Sequence, residues 1–431
     1  MIDERNTLIY LVSHNHINFL ESCVNSILEQ KDNKTDLIII DSGSTDGSND
    51  FLKKTALEKE LDFFTKRSIL TEIIDWVYAN YANKYDYIMR VDGDDLIEKD
   101  AINCLRDQIK QDSNIGSVCG SWTEIDENSN VLNKMVLENG YANSAFHGAC
   151  TLFRTQAIKD IKFNENKISS QDGLYTWLKI KDKWKCKTTN EFIFKYRRHE
   201  SNLSNKEDKL FLGRCFAYKS LYREKGYKSN ACAVIGYNDD ISFAATTNNK
   251  NDSVKSILKQ IKYIQDCDSI KKIYISSDSK IFNDIDLNAF TKVSILKRSK
   301  TEKTLIKSLQ DCQILKKEIK NYSDVLLLNP LKNIWNPYLI DIAIYSKYVH
   351  SYKTMIACNL VKGAVFNEEN GELYHVNFSN LNTVFTNNFL FVKLSGFLLV
   401  NSDDFYLIDD NYPKPIGHVS NNFLSLGINS F

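Results

Sequence analysis

A short acidic stretch follows an apolar run within residues 85–95, and its residue types suit the binding of a cation. The run reads Tyr-Asp-Tyr-Ile-Met-Arg-Val, which is typical of a buried β-strand, and it leads into Asp92, Gly93, Asp94 and Asp95. Because positions two apart share a face of an extended chain, Asp92 and Asp94 can point at one ion. Carboxylate oxygens suit Mg2+ or Mn2+. The alternative interpretation is a solvated Asp-Gly turn.

Two more polar clusters follow predicted strands earlier in the chain. Ser13, His14 and Asn15 come after one apolar run, and residues 41–48 read Asp-Ser-Gly-Ser-Thr-Asp-Gly-Ser after another. Ligands of open parallel sheets bind at the carboxyl ends of the strands. The three clusters are therefore expected to form one site, with Asp46 capping the helix that follows it.

The order of the predicted elements brings these clusters together. A strand over residues 7–13 precedes a helix whose apolar residues recur every three or four positions, with Asn18 as its expected cap. Further strands over residues 36–40 and 85–91 are separated by a helix around residues 71–83. This alternation predicts a parallel sheet with right-handed crossovers.

Composition narrows the class of protein. The chain has 431 residues, 43% hydrophobic and 26% charged, which predicts two or three globular domains. Lys plus Arg and Asp plus Glu both number 55, so no basic surface for nucleic acid is indicated. The charged start predicts no signal peptide, the late apolar run is too short to span a bilayer, and ten cysteines without a Cys-x-x-Cys pair predict reduced thiols. We expect a cytoplasmic protein, with peripheral association at the inner face of a membrane left open.

Three other nucleotide or ion sites are disfavoured by spacing. Neither aspartate-rich stretch places acids at positions one, three and five of a calcium loop with glycine at six. The first predicted strand is not followed by Gly-x-Gly-x-x-Gly, and the chain has no Gly-x-x-x-x-Gly-Lys-Ser/Thr loop. The sequence therefore does not predict a calcium-binding loop, a dinucleotide site or a P-loop.

Six landmarks between residues 7 and 204 resemble the family 2 glycosyltransferases of the GT-A fold. They occur in the family's order and are Ser13-His14-Asn15, Ile40-Asp41-Ser42-Gly43-Ser44-Thr45-Asp46-Gly47, Asp92-Gly93-Asp94-Asp95, Phe153-Arg154, Gln171-Asp172, and Tyr196-Arg197-Arg198-His199 with Asn202-Leu203-Ser204. Each motif is weak alone, so their order is the specific signal. The family has Glu where this chain has Gln171, which removes one charge beside Asp172.

The resemblance implies an inverting, metal-dependent transfer of a sugar from a nucleoside diphosphate to a hydroxyl acceptor. Asp172 is the expected base that takes the acceptor proton. The residues expected to bind the donor are Ser13, Asn15, Asp41, Asp92 and Arg198, and those expected to hold Mn2+ or Mg2+ are Asp92, Asp94 and His199. Structural roles stay open for Asp41 as a turn residue, Asp172 as a helix cap and His199 as a packed histidine. His147 is expected near the acceptor.

The alternation of strands and helices restarts in the second half of the chain. We expect a GT-A domain over residues 1–204, a helical connector over 205–228, and a second α/β domain over 229–431. The second domain resembles, less closely, the cytidylyltransferases that make CMP-activated acidic sugars, through Ile275-Ser276-Ser277-Asp278-Ser279, Leu296-Lys297-Arg298 and Leu327-Leu328-Asn329-Pro330-Leu331. Its first loop has Asp239 and Asp240 where that family has basic residues, and residues 418–422 lack the family's metal-binding acids. We therefore expect a nucleotidyltransferase-like fold without catalysis.

The expected function is a glycosyltransferase acting on a glycan or lipid-linked glycan in cell-surface polysaccharide or lipopolysaccharide synthesis. Two alternatives stay open. One is a bifunctional protein whose C-terminal domain makes a nucleotide-activated sugar, and the other is a non-catalytic carbohydrate-binding protein. A homodimer formed through the C-terminal domain is also left open.

Overall fold

The computed structural model describes residues 6–142, 147–163, 168–237, 250–283, 289–299, 305–328, 338–351, 355–362, 366–369, 372–375, 389–403, 405 and 425–427. The chain divides into two compact units, Met1–Ala217 and Tyr218–Phe431. The helix Glu207–Glu224 contains the boundary and occupies most of the stretch expected to be a connector. The domain limits given above stay a prediction.

The first unit alternates strands and helices and then adds two longer strands. Its strands are β1 Thr7–Ser13, β2 Thr35–Asp41, β3 Asp62–Thr65, β4 Tyr87–Asp92, β5 Leu96–Ile97, β6 Ile115–Ile125, β7 Val131–Met135, β8 Gly140–Tyr141, β9 Leu152–Arg154 and β10 Lys185–Arg197. Its helices are α1 Ile17–Leu28, α2 Ser48–Glu58, α3 Leu70–Tyr81, α4 Ala101–Lys110, α5 Thr155–Ile158, α6 Asp172–Ile180 and the boundary helix α7 Glu207–Glu224, with a 3-10 helix at Leu203–Asn205.

The described strands of this unit form one mixed sheet in the order β3-β2-β1-β4-β9-β6-β10-β5, with β7 beside β6 and β8 beside β10. Strand β1 is parallel to both β2 and β4, and β2 is parallel to β3. Strand β9 is antiparallel to β4 and β6 and joins the parallel part to the longer strands. This Rossmann-like mixed sheet confirms the expected α/β fold class.

The start of α1 differs from the sequence expectation. The helix begins at Ile17 and its N-cap residue is His16, so the prediction of Asn18 as the cap is wrong. The Ile17 N–H donates to Asp46 Oδ2 at 3.0 Å, which means that a side chain from the next loop satisfies this helix end. The other oxygen, Asp46 Oδ1, accepts from the Ser48 N–H at 3.0 Å. The N-cap residue of α2 is Gly47, so Asp46 lies one position before the cap that was predicted for it.

The second unit has its own sheet. Its strands are β11 Ala231–Tyr237, β12 Ile270–Ser277, β13 Val293–Lys297, β14 Asp324–Leu328, β15 Met355–Lys362, β16 Phe366–Glu369, β17 Glu372–His375, β18 Phe389–Asn401 and β19 Ser425–Gly427. Its helices are α8 Lys250–Gln265, α9 Leu305–Asp311, α10 Gln313–Ile319 and α11 Tyr338–Val349, with a 3-10 helix at Lys280–Asn283. The described strands pair in the order β13-β12-β11-β14-β18-β15-β19, with β16 and β17 forming a separate pair.

Part of the comparison drawn for the second unit cannot be placed. Asp239, Asp240, the segment 329–331 and the segment 418–422 lie outside the described residues. The first four strands of the sheet order, β13, β12, β11 and β14, are parallel to one another. The unit therefore has the α/β class expected from its alternating pattern.

Candidate active site

The carboxyl ends of β1, β2 and β4 lie side by side in the first sheet. In the register of these parallel strands, Ser13 is paired with Asp41, and Val12 is paired with Asp92. The Gly93 N–H then donates to the Val12 carbonyl at 2.9 Å, which continues the pairing one residue further. The three polar clusters therefore meet at one edge of the sheet.

Asp41 is fully buried at the end of β2, and its two carboxylate oxygens have different surroundings. Oδ2 accepts hydrogen bonds from the backbone N–H groups of Gly43 (2.9 Å) and Ser44 (3.1 Å) and from Asn49 Nδ2 (2.9 Å). Oδ1 has no hydrogen-bond partner among the described residues. Since an unsatisfied buried oxygen costs free energy, Oδ1 is the atom of Asp41 that retains unused capacity to accept a hydrogen bond.

Asn15 and Ser13 lie beside Asp41 at the end of β1. Asn15 adopts a left-handed backbone conformation with φ 58°. Its side-chain Oδ1 accepts from the Thr45 N–H at 2.8 Å, and its own N–H donates to Ser44 Oγ at 2.9 Å. Asn15 therefore fixes the loop after β2. Ser13 is fully buried, and its Oγ has no partner in the described part of the chain.

Arg90 is a buried cation within β4 that contacts two of the predicted site residues. Its Nε lies 2.8 Å from Asp92 Oδ1, and its Nη1 donates to Asp172 Oδ2 at 2.7 Å. Asp172 is 82 positions after Arg90 in the sequence, yet its carboxylate faces the acidic end of β4. Burial, opposed by the Arg90 charge and assisted by that of Asp94, raises the pKa of Asp92 to about 6.

Asp172 is the first residue of α6, and the chain passes very close to its carboxylate. The N-cap residue is Gln171, with φ 61°, so the alternative role of Asp172 as the cap is wrong. A Cβ placed on Gly148 would lie 1.8 Å from Asp172 Oδ2. Residue 148 must therefore be glycine for the segment to run against this carboxylate. The Asp172 side chain is 17% exposed, so a substrate can reach it.

Three side chains of metal-ligand type, His16, Asp94 and His199, lie together beyond the end of β4. One ligand atom from each lies within 4.8 Å of the others. Asp94 Oδ2 is 2.9 Å from His199 Nε2 and 3.9 Å from His16 Nε2. Two imidazoles and one carboxylate form a donor set that fits a divalent ion. Asp92 is not in this group, and its carboxylate contacts Arg90.

Neighbouring side chains hold His199, and burial affects the protonation of His16. His199 Nδ1 lies 2.8 Å from Ser201 Oγ, and Asn202 Oδ1 accepts from the His199 N–H at 2.5 Å. The Ser201 contact occupies Nδ1 and leaves Nε2 directed at Asp94. Burial lowers the pKa of His16 below its ordinary value, which favours the neutral imidazole that binds metals.

The two consecutive arginines after Tyr196 have opposite environments. Arg197 is buried, and its guanidinium donates to the backbone carbonyls of Asp94 and Asp126, each at 2.9 Å. These hydrogen bonds connect the acidic stretch at Asp94 to the loop at Asp126. Arg198 is exposed, and its Nη1 donates to Ser204 Oγ at 3.3 Å. Arg198 is therefore the member of this pair whose guanidinium is accessible from solvent.

His147 lies in an aromatic group that also contains Trp122, Phe194 and Tyr196. The His147 ring centroid is 4.7 Å from that of Trp122, 5.4 Å from Phe194 and 5.2 Å from Tyr196. Burial lowers the pKa of His147 to about 4, so the ring is neutral at physiological pH. Its contacts are those of a packed residue.

Sequence reasoning missed three residues that the structure places at this site: His16, Arg90 and Gly148. Arg90 carries a readable signal, because a cation within an apolar strand requires buried partners. The positions of His16 and Gly148 depend on segments far away in sequence, so their residue types alone gave no signal.

Residues 8–162 match the family model described as "Glycosyl transferase family 2". The poly-beta-1,6-N-acetyl-D-glucosamine synthase of Staphylococcus aureus strain MSSA476 is 23% identical over 198 residues, which cover 41% of this chain and 46% of that protein. The synthase of the same name from Staphylococcus epidermidis is 23% identical over 185 residues, covering 39% and 44%. The chain spans about half the length of the curated relatives it matches.

Two solved glycosyltransferase structures are also similar. Staphylococcus aureus TarS 1–349 in complex with UDP-GlcNAc gives a TM-score of 0.42 at 11% identity, covering 87% of this chain and 97% of that one. The mannosyltransferase PcManGT from Pyrobaculum calidifontis, in complex with GDP-Man and Mn2+, gives 0.38 at 14% identity, covering 51% and 64%.

The family match and the sheet order agree on the first unit. The sheet order confirms the expected fold class, and residues 8–162 match the glycosyltransferase family 2 model. Within the described residues, no helix is both long and apolar enough to cross a membrane.

Proposed function

We propose that this chain is an inverting, metal-dependent glycosyltransferase that moves a sugar from a nucleoside diphosphate donor to a hydroxyl acceptor. The observation that carries the proposal is the contact of Arg90 with both Asp92, at 2.8 Å, and Asp172, at 2.7 Å. This contact holds a carboxylate suited to act as a base beside the acidic strand end. The family match over residues 8–162 supports the enzyme class.

The donor is proposed to lie over the ends of β1 and β2. Asp41 Oδ1, which is buried and without a described partner, would accept a hydrogen bond from the base or ribose. Ser13 and Asn15 lie next to it and would line the same pocket. Arg198 would bind phosphate oxygens, because a guanidinium can donate two parallel hydrogen bonds to them. Asp92 is the remaining donor-binding candidate.

Asp172 is proposed as the base. The acceptor oxygen attacks the anomeric carbon from the face opposite the nucleotide, and Asp172 takes the proton of the hydroxyl. The bond between the anomeric carbon and the diphosphate oxygen breaks, so the configuration at that carbon is inverted. Arg90 fixes the direction of the carboxylate, since its contact to Oδ2 is charge-assisted.

Asp94 and His199 are proposed to hold a divalent ion, Mn2+ or Mg2+, and their 2.9 Å separation fits two ligands of one ion. Such an ion, when bound, offsets negative charge that develops on the departing diphosphate. Asp92 stays a predicted ligand of this ion, although its carboxylate contacts Arg90.

The curated relatives are named poly-beta-1,6-N-acetyl-D-glucosamine synthases, so a nucleotide-activated N-acetylglucosamine is the first donor to test. We propose a glycan or lipid-linked glycan as the acceptor, in cell-surface polysaccharide or lipopolysaccharide synthesis. A cytoplasmic location at the inner face of a membrane and a homodimer formed through the second unit are further predictions.

The second unit is proposed to be non-catalytic. Its resemblance to cytidylyltransferases stays a prediction. Arg298, in one of the motifs that carry this resemblance, donates to the Tyr237 carbonyl at 2.7 Å and to Ser276 Oγ at 3.1 Å. These contacts give it a structural role at the strand ends. Release of pyrophosphate from CTP and an acidic sugar would instead identify a bifunctional enzyme.

The experiment that tests the proposal is a panel of nucleotide-sugars incubated with the full chain in Mn2+, Mg2+ or EDTA. We expect metal-dependent turnover of one donor, and an Asp172→Asn variant about 100-fold slower or worse, since a positioned base contributes roughly 10²–10⁴-fold. Donor-induced thermal stabilisation should persist in this variant. Asp160→Asn, at an exposed carboxylate of the same unit, is the matched control.

Two results would contradict the proposal. Unchanged turnover in Asp172→Asn would remove Asp172 as the base. Stabilisation by a donor, with no turnover of any donor in the panel, would favour the non-catalytic carbohydrate-binding alternative.

A further inference from the structure

We infer that His16 is a third protein ligand of the ion held by Asp94 and His199, and that the chain binds this ion before any nucleotide arrives. The inference rests on the proposed function, because the ion is the one proposed for glycosyl transfer. His16 lies outside every motif that carried the family resemblance, at the N-cap of α1.

The distances allow one ion to reach all three side chains. Asp94 Oδ2 is 2.9 Å from His199 Nε2 and 3.9 Å from His16 Nε2, and all three ligand atoms lie within 4.8 Å of one another. Two ligands that are each about 2.1 Å from an ion are about 3.0 Å apart at 90° and about 4.2 Å apart at 180°. The observed separations to Asp94 fall within this range.

The charge of the cluster calls for a cation. The Asp94 side chain is 10% exposed, and its carboxylate contacts His199, Asn202 and His16, none of which has a permanent charge. The nearby Arg197 guanidinium donates to the Asp94 backbone carbonyl. A buried carboxylate without a cation is costly, and a divalent ion between the carboxylate and the imidazoles removes that cost.

The backbone of His16, and not its imidazole, caps α1. The His16 N–H donates to Ser48 Oγ at 3.0 Å, and its carbonyl accepts from the Phe19 N–H at 2.8 Å. The imidazole makes no hydrogen bond through Nδ1 in the described part of the chain. The side chain is therefore available to bind a metal through Nε2.

A close approach of Gly93 positions the ring of His16. A Cβ placed on Gly93 would lie 3.1 Å from His16 Nδ1 and 2.9 Å from Ser13 Oγ. Both of these polar atoms are buried, and neither has a described partner. His16 Nδ1 thus lies next to Gly93, while Nε2 faces Asp94 Oδ2 at 3.9 Å.

The ligand set, two nitrogens and one oxygen, predicts which divalent ion the site binds. Imidazole nitrogen favours first-row transition metals, whereas Mg2+ prefers oxygen ligands and several waters. The site should therefore bind Mn2+ without nucleotide, and Mg2+ at the same concentration should not displace it.

The test is a titration of the full chain with Mn2+ in the absence of nucleotide, with free Mn2+ measured by electron paramagnetic resonance. His16→Ser, Asp94→Asn and His199→Gln should each weaken binding tenfold or more, because loss of an outer-shell partner alone costs about 10–100-fold. Serine is a preferred N-cap residue, so α1 should be retained. Glu21→Gln, at an exposed carboxylate on α1, should bind as the wild type does.

Gly93→Ala gives an independent test that keeps all three ligands, because its Cβ presses on His16 Nδ1 and should also weaken binding. Thermal unfolding in EDTA shows that each variant is folded. Wild-type affinity in His16→Ser, with weakened binding in Asp94→Asn, overturns the inference and leaves the proposed function standing. Unchanged binding in all the variants overturns the inference and the proposed metal site together. If His16→Ser loses Mn2+ binding and the wild-type chain turns over no nucleotide-sugar, the metal site is supported and the proposed function is overturned.

Discussion

Replacing Gly148 with alanine tests whether the position of the Asp172 carboxylate limits catalysis. The new Cβ would lie 1.8 Å from Asp172 Oδ2, 2.8 Å from its Cγ and 3.2 Å from the Gly173 backbone nitrogen. Carbon and oxygen atoms in contact are about 3.3 Å apart, so the carboxylate must move by about 1.5 Å. A shift of this size breaks the 2.7 Å contact between Asp172 and Arg90.

The expected loss of activity follows from that displacement. Misplacing a reacting group by about 1 Å costs about 100-fold in rate. A factor of 100 corresponds to about 2.7 kcal/mol of activation free energy. We therefore expect kcat of Gly148→Ala to fall about 100-fold. The KM for the donor should change little, because the donor is proposed to bind over β1 and β2.

The assay measures initial rates of donor consumption at saturating acceptor, together with thermal unfolding of each variant. Gly140→Ala is the matched control, since its Cβ would meet only Thr188 Oγ1, at 4.0 Å. A Gly148→Ala, Asp172→Asn double variant should be no slower than Asp172→Asn alone, because both changes disable the same group. Activity of folded Gly148→Ala within threefold of wild type would refute the reasoning, and so would additive losses in the double variant.

Three further predictions concern the first unit. Asp32→Asn should lower the free energy of unfolding at pH 7 by about 1 kcal/mol, a figure reduced for partial exposure, because the buried Arg106 loses a charged partner at 2.5 Å. The Arg106 hydrogen bond lowers the pKa of Asp32, so this stabilisation is complete above the ordinary value of 3.8 and is lost as the pH falls below it. Urea unfolding should therefore show a smaller difference in stability between wild type and Asp32→Asn at pH 3 than at pH 7. Arg197→Ala should lower the free energy of unfolding by about 3 kcal/mol or more, because a buried guanidinium with several backbone acceptors is lost. Arg198→Ala should unfold like the wild type but bind the donor more weakly, as measured by calorimetry. Asp41→Asn should weaken donor binding about tenfold or more, because the acceptor atom Oδ1 becomes half of a neutral amide; equal donor affinity would remove Asp41 from the binding site.

The parallel part of the first sheet could be predicted because its pattern is local. Continuous apolar runs at β1, β2 and β4 alternate with amphipathic helices, and only a few topologies accommodate that order. The order also determines that Ser13, Asp41 and Asp92 end on the same edge. Their alignment needs only the register of parallel strands, which the runs of buried residues specify.

The start of α1 shows where local rules fail. Asn18 has the residue type of a cap, yet the cap is His16, two residues earlier, because Asp46, 29 positions after Ile17, satisfies the first N–H of the helix. When a residue distant in the sequence satisfies the end of a helix, the residues next to that helix do not indicate it. The same two-residue displacement places His16 at the helix start, where its imidazole faces Asp94.

By itself, the sequence determined the alternation of strands and helices, the edge of the sheet where polar residues gather, and the resemblance that pointed to a glycosyltransferase. Tertiary structure alone decided that Arg90 joins Asp92 to Asp172, that Arg197 turns inward while Arg198 stays exposed, and that His16 completes the cluster around Asp94. The physical reason is that hydrophobic periodicity, which predicts strands and helices, is a property of residues close together in the sequence. The partner of a buried charge is set by which distant segments pack together, and a single sequence does not display that packing.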